Sequence, residues 1–336
     1  MDTIRNTIAE NFGGHASKVG TTHFSLEECP DLSGKVAVVT GGSQGIGFGV
    51  AYTLLKNNIA KVYIISTTKD VFDGAQRAVA DELGQDKADR MAWLQCDLSD
   101  WRRTKQVAET IRRDTDRLDI LVNNSGRGIM APALTDYGVD RHMAVNHFGH
   151  AVLTSYLLPL LKQTADQGNV VRISNQCSNA HRGAPKDTQF ASLGEINRDA
   201  GPNGQYGRSK LAGLLYTRYF DRNVTRNGHP NVLMNATHPG FVRTKQSTHD
   251  IHEPYPIAGY VMSHVVDPFK KDQFEGAVPT VFAVTMADAG GQYLCAPATP
   301  EKASELAQSD ELMENLMDLT RSLVSEKTGG EAVVAV

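Results

Sequence analysis

Tyr206 and Lys210 stand four residues apart in the run Tyr206-Gly207-Arg208-Ser209-Lys210. On a helix that spacing puts both side chains on one face, with Cβ atoms about 5–6 Å apart. A neighbouring ammonium favours phenolate over phenol, so such a tyrosine can exchange its proton nearer neutrality than a free one. Alone, the pair is also what an ordinary surface helix shows. A second motif upstream, Thr40-Gly41-Gly42-Ser43-Gln44-Gly45-Ile46-Gly47, directly follows a β-branched run and opens a helical segment. Glycines there permit a tight turn and close backbone approach to a pyrophosphate, whose charge the free N–H groups at a helix start favour. The competing reading is a turn that merely packs helix on strand.

These residues must be held by a frame, and the frame repeats along the chain. Short β-branched runs at Val36 to Val39, Val62 to Ile65, Met91 to Leu94, Ile120 to Val122, Val170 to Ile173 and Val232 to Met234 alternate with helical-length segments. Strand and helix in alternation predict parallel pairing with right-handed crossovers and helices on both faces. The expected fold is α/β, a Rossmann-type doubly wound sheet of about seven strands in a single domain, spanning residues 35–299. Residues 1–34 read as an arm whose Ile4, Ile8 and Phe12 recur at helical spacing until Gly13-Gly14, a short helix docking on the main body. Residues 300–336 read as a terminal helix, with Leu306, Leu312, Leu316, Leu319 and Leu323 forming one stripe, and a tail.

Composition narrows the function classes. The chain has 336 residues, with 34 basic against 38 acidic side chains and 40% apolar residues. That is enough to bury a sizeable core, and the near-neutral balance without a basic block argues against nucleic-acid binding. Cys29, Cys96, Cys177 and Cys295 are scattered, which indicates reduced thiols rather than a disulfide framework or a zinc site. The amino terminus lacks an apolar secretory core, and Asp2 and Glu10 argue against a transit peptide. No apolar stretch approaches the roughly 20 residues that span a bilayer. The expectation is a cytoplasmic protein, with a homodimer left open.

With these motifs in view, the sequence resembles the short-chain dehydrogenase/reductase family, within it the retinol-dehydrogenase-like branch with many fungal members, over about Leu32 to Thr299. Asn123-Asn124-Ser125-Gly126 is similar to the family's N-N-A-G. Asp97, beside Leu98, matches the acid that contacts adenine. Val145-Asn146-His147-Phe148-Gly149-His150 resembles V-N-x-x-G-H, and Pro239-Gly240 with Val242 and Thr244 resembles the segment beside the nicotinamide. The resemblance implies hydride transfer between nicotinamide and a carbonyl or alcohol carbon. Tyr206 would serve as acid/base, Lys210 as ribose anchor, and Asn146 as anchor of a relay water. The cofactor set it implies is Thr40, Gly41, Ser43, Gln44, Gly45, Ile46, Gly47, Thr67, Asp97, Leu98, Asn124, Ser125, Gly126, Tyr206, Lys210, Pro239, Gly240, Val242 and Thr244. A second class stays open: a nucleotide-binding regulator or a non-redox biosynthetic protein on the same fold.

An ungapped overlay of the family's serine strand on Arg172 to His181 places the active serine at Ser178. Ser174 and Gln176 stand where valines are usual, and buried polar groups cost free energy unless bonded. The end of that strand is therefore expected to be distorted, the alternative being that Ser174, Gln176 and Ser178 satisfy one another. His142, His147 and His150 have no acid or thiol at metal-ligand spacing, so packed histidines and no metal are expected. Cys177 reads as a packing neighbour. The second strand ends Ser66-Thr67-Thr68-Lys69, without the acid that NAD-selective relatives carry, so NADP(H) is the preferred cofactor and NAD(H) the alternative. The aromatic and histidine-rich stretch 244–272 reads as a substrate lid, with Phe190 and Leu193 as another wall, which suits a bulky, largely apolar carbonyl or secondary alcohol.

Overall fold

Each β-branched run becomes a strand: β1 (Val36–Thr40), β2 (Lys61–Ser66), β3 (Met91–Gln95), β4 (Ile120–Asn123), β5 (Val171–Gln176) and β6 (Val232–His238). The structure is a computed structural model that describes residues 24–240 and 272–336. Two further strands, β7 (Tyr293–Cys295) and the two-residue β8 (Thr299–Pro300), complete one sheet ordered β3-β2-β1-β4-β5-β6-β7-β8. All neighbours pair parallel except β7 with β8. The eighth strand is thus a short hairpin added to the seven expected. The chain winds outward one way from β1 and the other way from β4, so the crevice at their carboxyl ends is the topological switch point where ligands of such sheets bind.

Burial on both faces explains the unbroken apolar strands. Within β1, Val36 and Val38 face one apolar cluster and Ala37 and Val39 the other, the period of two that a strand imposes. The connecting helices are α1 (Gly45–Lys56), α2 (Lys69–Leu83), α3 (Trp101–Asp114), α4 (His150–Asp166), α5 (Gly201–Phe220) and α6 (Gln273–Thr285). The terminal helix α7 (Asp310–Thr328) starts where the Ser309 hydroxyl accepts from Leu312 N and ends at Gly329, whose φ of 63° suits a residue without Cβ. Its Leu312, Leu316, Leu319 and Leu323 are buried in the cluster that also holds Leu211 and Leu215 of α5. Phe24, from the arm, packs edge-on against Phe282 of α6 at 5.4 Å. Ile4, Ile8, Phe12 and the lid stretch 244–271 lie outside the described residues. Phe190 is buried in the main cluster with Leu193 packed against it. Among the described residues, no helix is long and apolar enough to cross a membrane.

The expected distortion at the end of β5 does not occur. Register with β6 continues through Gln176 opposite Thr237. Ser174 Oγ lies 3.0 Å from Thr237 Oγ1, and Gln176 Oε1 accepts from Thr237 Oγ1 at 3.2 Å and Thr280 Oγ1 at 2.8 Å. Threonines of β6 and α6 supply partners that the strand's own sequence cannot reveal, and Ser178 takes no part in that cluster.

Candidate active site

The glycine loop has the shape of an anion cradle. Gly41 and Gly45 adopt φ of 65° and 55°, left-handed values that favour glycine. A Cβ on Gly47 would meet Gly41 O at 2.3 Å and Asn124 Nδ2 at 2.5 Å, so this approach of α1 to the loop requires its absence. Gln44, at the N-cap of α1 just beyond the end of β1, makes no side-chain capping bond to the helix's first N–H groups. Ser43 Oγ donates to Ser66 Oγ at 2.8 Å, tying the loop to the end of β2. These features fit a dinucleotide pyrophosphate.

Thr40 joins that loop to the end of β4. Its Oγ1 accepts from the backbone N–H groups of Asn124 and Ser125, each at 2.9 Å, and lies 3.0 Å from His150 Nε2. His150 Nδ1 in turn lies 3.3 Å from the carbonyl oxygen of Asn146. Burial holds the His150 imidazole down to about 4, so the ring is neutral and carries one proton. The Thr40 hydroxyl itself donates to Val122 O at 3.3 Å. The loop acid is anchored too: Asp97 Oδ1 accepts from Ser99 N at 2.9 Å and Ser99 Oγ at 2.8 Å. Leu98 O would lie 2.3 Å from a Cβ on Gly149, so glycine there lets the start of α4 approach this loop.

Asn146 sits in a π-helical stretch, Ala144–Gly149, at the entrance to α4. Such local widening of a helix is frequent at functional sites. Its Oδ1 accepts from Arg127 N at 2.7 Å, while Nδ2 donates to Arg127 O at 3.0 Å and Ser209 Oγ at 2.9 Å. The side chain thereby links the loop after β4 to helix α5. On α5, the Lys210 ammonium lies 5.5 Å from the centre of the Tyr206 ring and donates to Gln176 O at 2.8 Å. Lys210 is buried and Tyr206 half-buried. A Cβ on Gly126 would stand 3.1 Å from Asn146 Oδ1 and 3.6 Å from Lys210 Nζ, so these groups converge on the glycine that ends the Asn-Asn-Ser-Gly run.

Ser178 reaches the same helix by a turn. It caps the 3₁₀ turn Asn179–Gly183, with its Oγ accepting from Ala180 N at 3.1 Å. That turn packs on α5 where a Cβ on Gly207 would meet Ala180 O at 2.7 Å, so the residue after Tyr206 must be small. His181 fixes the turn: its Nε2 accepts from Ser304 N at 3.0 Å, leaving Nδ1 to donate to Ser178 O at 2.7 Å. Burial raises the Cys177 thiol to about 12, which keeps it protonated beside Ser178.

Among the predicted positions, the structure brings Tyr206, Lys210, Asn146 and Gly126 together and seats Ser178 on the turn against Tyr206's neighbour. Thr40, Gly41, Ser43, Gln44, Gly45, Ile46, Gly47, Asn124 and Ser125 form the cradle, and Asp97 and Leu98 follow the end of β3, with Leu98 against Gly149. Thr67 lies just beyond the end of β2, its carbonyl accepting from Gln95 Nε2 at 3.1 Å, and the Lys69 ammonium pairs with Asp73. Pro239 and Gly240 follow the end of β6. Val242 and Thr244 lie outside the described residues. Sequence reasoning gave no positioning role to His150, His181 or Gln176. For Gln176 the signal was present as a polar residue in a β-branched strand, whereas the two histidines act through partners distant in sequence. His142 and His147 are also buried and bonded, to Gly128 O at 2.9 Å and Thr320 Oγ1 at 2.8 Å. Among the described residues, no cluster of three or more histidine, cysteine or acidic side chains could hold a metal.

Comparison with known proteins shows the family. The family model for short chain dehydrogenase matches residues 35–185. A Neurospora crassa protein named as a mitochondrial oxidoreductase, bli-4, is 67% identical over 99% of this chain and 82% of its own length. Bovine retinol dehydrogenase 12 is 33% identical over 73% of this chain and 72% of its own. The crystal structure of NADPH-bound carbonyl reductase from chicken fatty liver shares the fold, with a TM-score of 0.59 at 21% identity, over 81% of this chain and 100% of that one. The chain belongs to the short-chain dehydrogenase/reductase family of oxidoreductases.

Proposed function

We propose that the chain is an NADP(H)-preferring oxidoreductase acting on a bulky, largely apolar carbonyl or secondary alcohol, a carbonyl reductase in one direction. The observation that carries the reading is the convergence on Gly126 of Asn146 Oδ1 and Lys210 Nζ, with the Lys210 ammonium one turn from the half-buried Tyr206. A protein that only bound nucleotide would need the cradle but not this proton-handling group beside it.

The dinucleotide would be held by the loop Thr40 to Gly47, by Asp97 and Leu98 on one side and Asn124 to Gly126 on the other, by Thr67 at its outer end, and by Pro239, Gly240, Val242 and Thr244. When bound, its nicotinamide supplies or accepts the hydride. Tyr206 gives the proton to the developing alkoxide, or takes it from the alcohol. Ser178, half-buried on its capped turn, donates a hydrogen bond to the same oxygen. Lys210, held in place by the Gln176 carbonyl, anchors the ribose and favours the ionised tyrosine. Asn146 fixes the loop after β4 against α5 and supports a water chain.

Preference for NADP(H) is supported by the end of β2, where Ser66, Thr67, Thr68 and Lys69 offer hydroxyls and a cation but no carboxylate to repel a 2′-phosphate. The apolar substrate class is supported by the stretch 244–272 and by the likeness to a protein named for retinol, a long apolar alcohol. We place the catalytic unit at residues 35–299. For location, the Neurospora relative's name speaks for the mitochondrion against the expected cytosol, and fractionation of the full chain decides between them.

Absorbance of the reduced nicotinamide, followed with long-chain ketones and aldehydes, tests the reading. NADPH-dependent consumption with higher kcat/KM than with NADH supports it. Equal or better efficiency with NADH overturns the preference, and no consumption with any carbonyl or alcohol overturns the assignment.

A further inference from the structure

We propose that Thr320, on α7 and far along the chain from the active site, is a positioning residue that holds the π-helical stretch carrying Asn146, acting through His147. The inference rests on the functional reading above. Thr320 is fully buried, and its Oγ1 donates to Leu316 O at 2.6 Å, so what it offers a second partner is a lone pair. That partner is His147 Nε2 at 2.8 Å. His147 must therefore carry its proton on Nε2, and burial keeps the ring neutral by holding it down to about 3. The bond crosses 173 residues of sequence and ends on the residue next to Asn146.

α7 and the short turn just before it also grip the other half of the site. Arg218 of α5 donates to Ala307 O at 3.0 Å and pairs with Asp310 at 2.7 Å, and Arg321 bonds to Tyr219 of α5. One terminal helix thus holds both the helix of Tyr206 and Lys210 and the stretch of Asn146. Those two parts also meet directly, through Asn146 Nδ2 to Ser209 Oγ and through the His147 ring edge-on to Tyr216 of α5 at 5.7 Å. His147 lines the same small cavity as Asn146, Gln176 and Lys210. A shift of the π-helical stretch would therefore move Asn146 relative to Lys210.

The test uses the full chain and compares Thr320→Val, nearly the same shape without the acceptor, with Thr320→Ser and Tyr206→Phe. Thr320→Val should lower kcat about tenfold with the NADPH dissociation constant unchanged, and Thr320→Ser should restore kcat. A fall in kcat and NADPH affinity together, without rescue by serine, would mean general loosening and overturn the inference. Wild-type kcat in Thr320→Val, alongside an inactive Tyr206→Phe, overturns it and leaves the functional reading standing. Turnover retained by Tyr206→Phe, or a wild-type chain without turnover, overturns the functional reading and the positioning role with it. Should Thr320→Val not fold, ¹⁵N NMR of the imidazole in the wild-type chain decides. A neutral His147 protonated on Nε2 supports the bond, and protonation on Nδ1 overturns it.

Discussion

The side-chain amide of Asn146 donates to Ser209 Oγ at 2.9 Å, and Ser209 spends its own proton on Tyr206 O at 2.8 Å. Ser209 is buried between the positions of Tyr206 and Lys210, so its lone pair is a direct tie between the π-helical stretch and the catalytic helix. Ser209→Ala removes that acceptor from a group that keeps its bonds to Arg127. A lost hydrogen bond of about 1 kcal/mol corresponds to roughly fivefold. The expected result is a kcat lower by about that factor with unchanged NADPH affinity, measured by steady-state kinetics and fluorescence titration.

Gly47→Ala should act on the cofactor instead. Its Cβ would stand 2.3 Å from Gly41 O, a backbone atom that cannot swing away as a side-chain end can. Either α1 or the loop must shift, which breaks the cradle. NADPH affinity should fall at least tenfold, with a lower Tm, as overpacking of a tight contact costs about 1–3 kcal/mol. Titration of the purified variant with NADPH checks this, and wild-type affinity would show that the loop is not the pyrophosphate site.

Stability should depend on pH through buried imidazoles. Burial lowers His147 to about 3, His150 to about 4 and His181 to about 4, against an ordinary value of 6.5. Between about 4 and 6.5 the unfolded chain binds more protons than the folded one, so stability rises with pH there and is lost as pH falls below 6.5. Each ring contributes at most about 1.4 kcal/mol per pH unit in that window. Urea unfolding at pH 7, 6 and 5 should show a falling midpoint, and His147→Gln should flatten the dependence. A midpoint that stayed level or rose toward pH 5 would contradict the burial of neutral rings.

How far the sequence can be read depends on how far apart the partners lie. The strands β1 to β6, the cradle and the Tyr206–Lys210 pair are legible because each is written in local spacing: runs of β-branched residues, glycines at fixed offsets, a four-residue step on a helix. Asn146 and Ser178 are legible through family resemblance, although nothing local says that Asn146 widens its helix. What stays hidden is long-range. The polar residues of β5 suggest distortion only while Thr237 and Thr280 are unseen, since their hydroxyls come 61 and 104 residues later to meet Gln176. His150 reads as a packed histidine until Thr40, 110 residues earlier, is placed against it.

The account stands or falls on Tyr206 as the proton donor, and Tyr206→Phe tests it with the least disturbance. The half-buried ring keeps its packing, and the glycine loop and the Lys210–Gln176 bond are untouched. Steady-state NADPH oxidation with the best carbonyl substrate of the wild-type chain, alongside NADPH titration of both proteins, is the measurement. The account predicts unchanged NADPH affinity with kcat lower by about 10²–10⁴-fold, the usual contribution of a positioned acid or base. Wild-type kcat in Tyr206→Phe would contradict it.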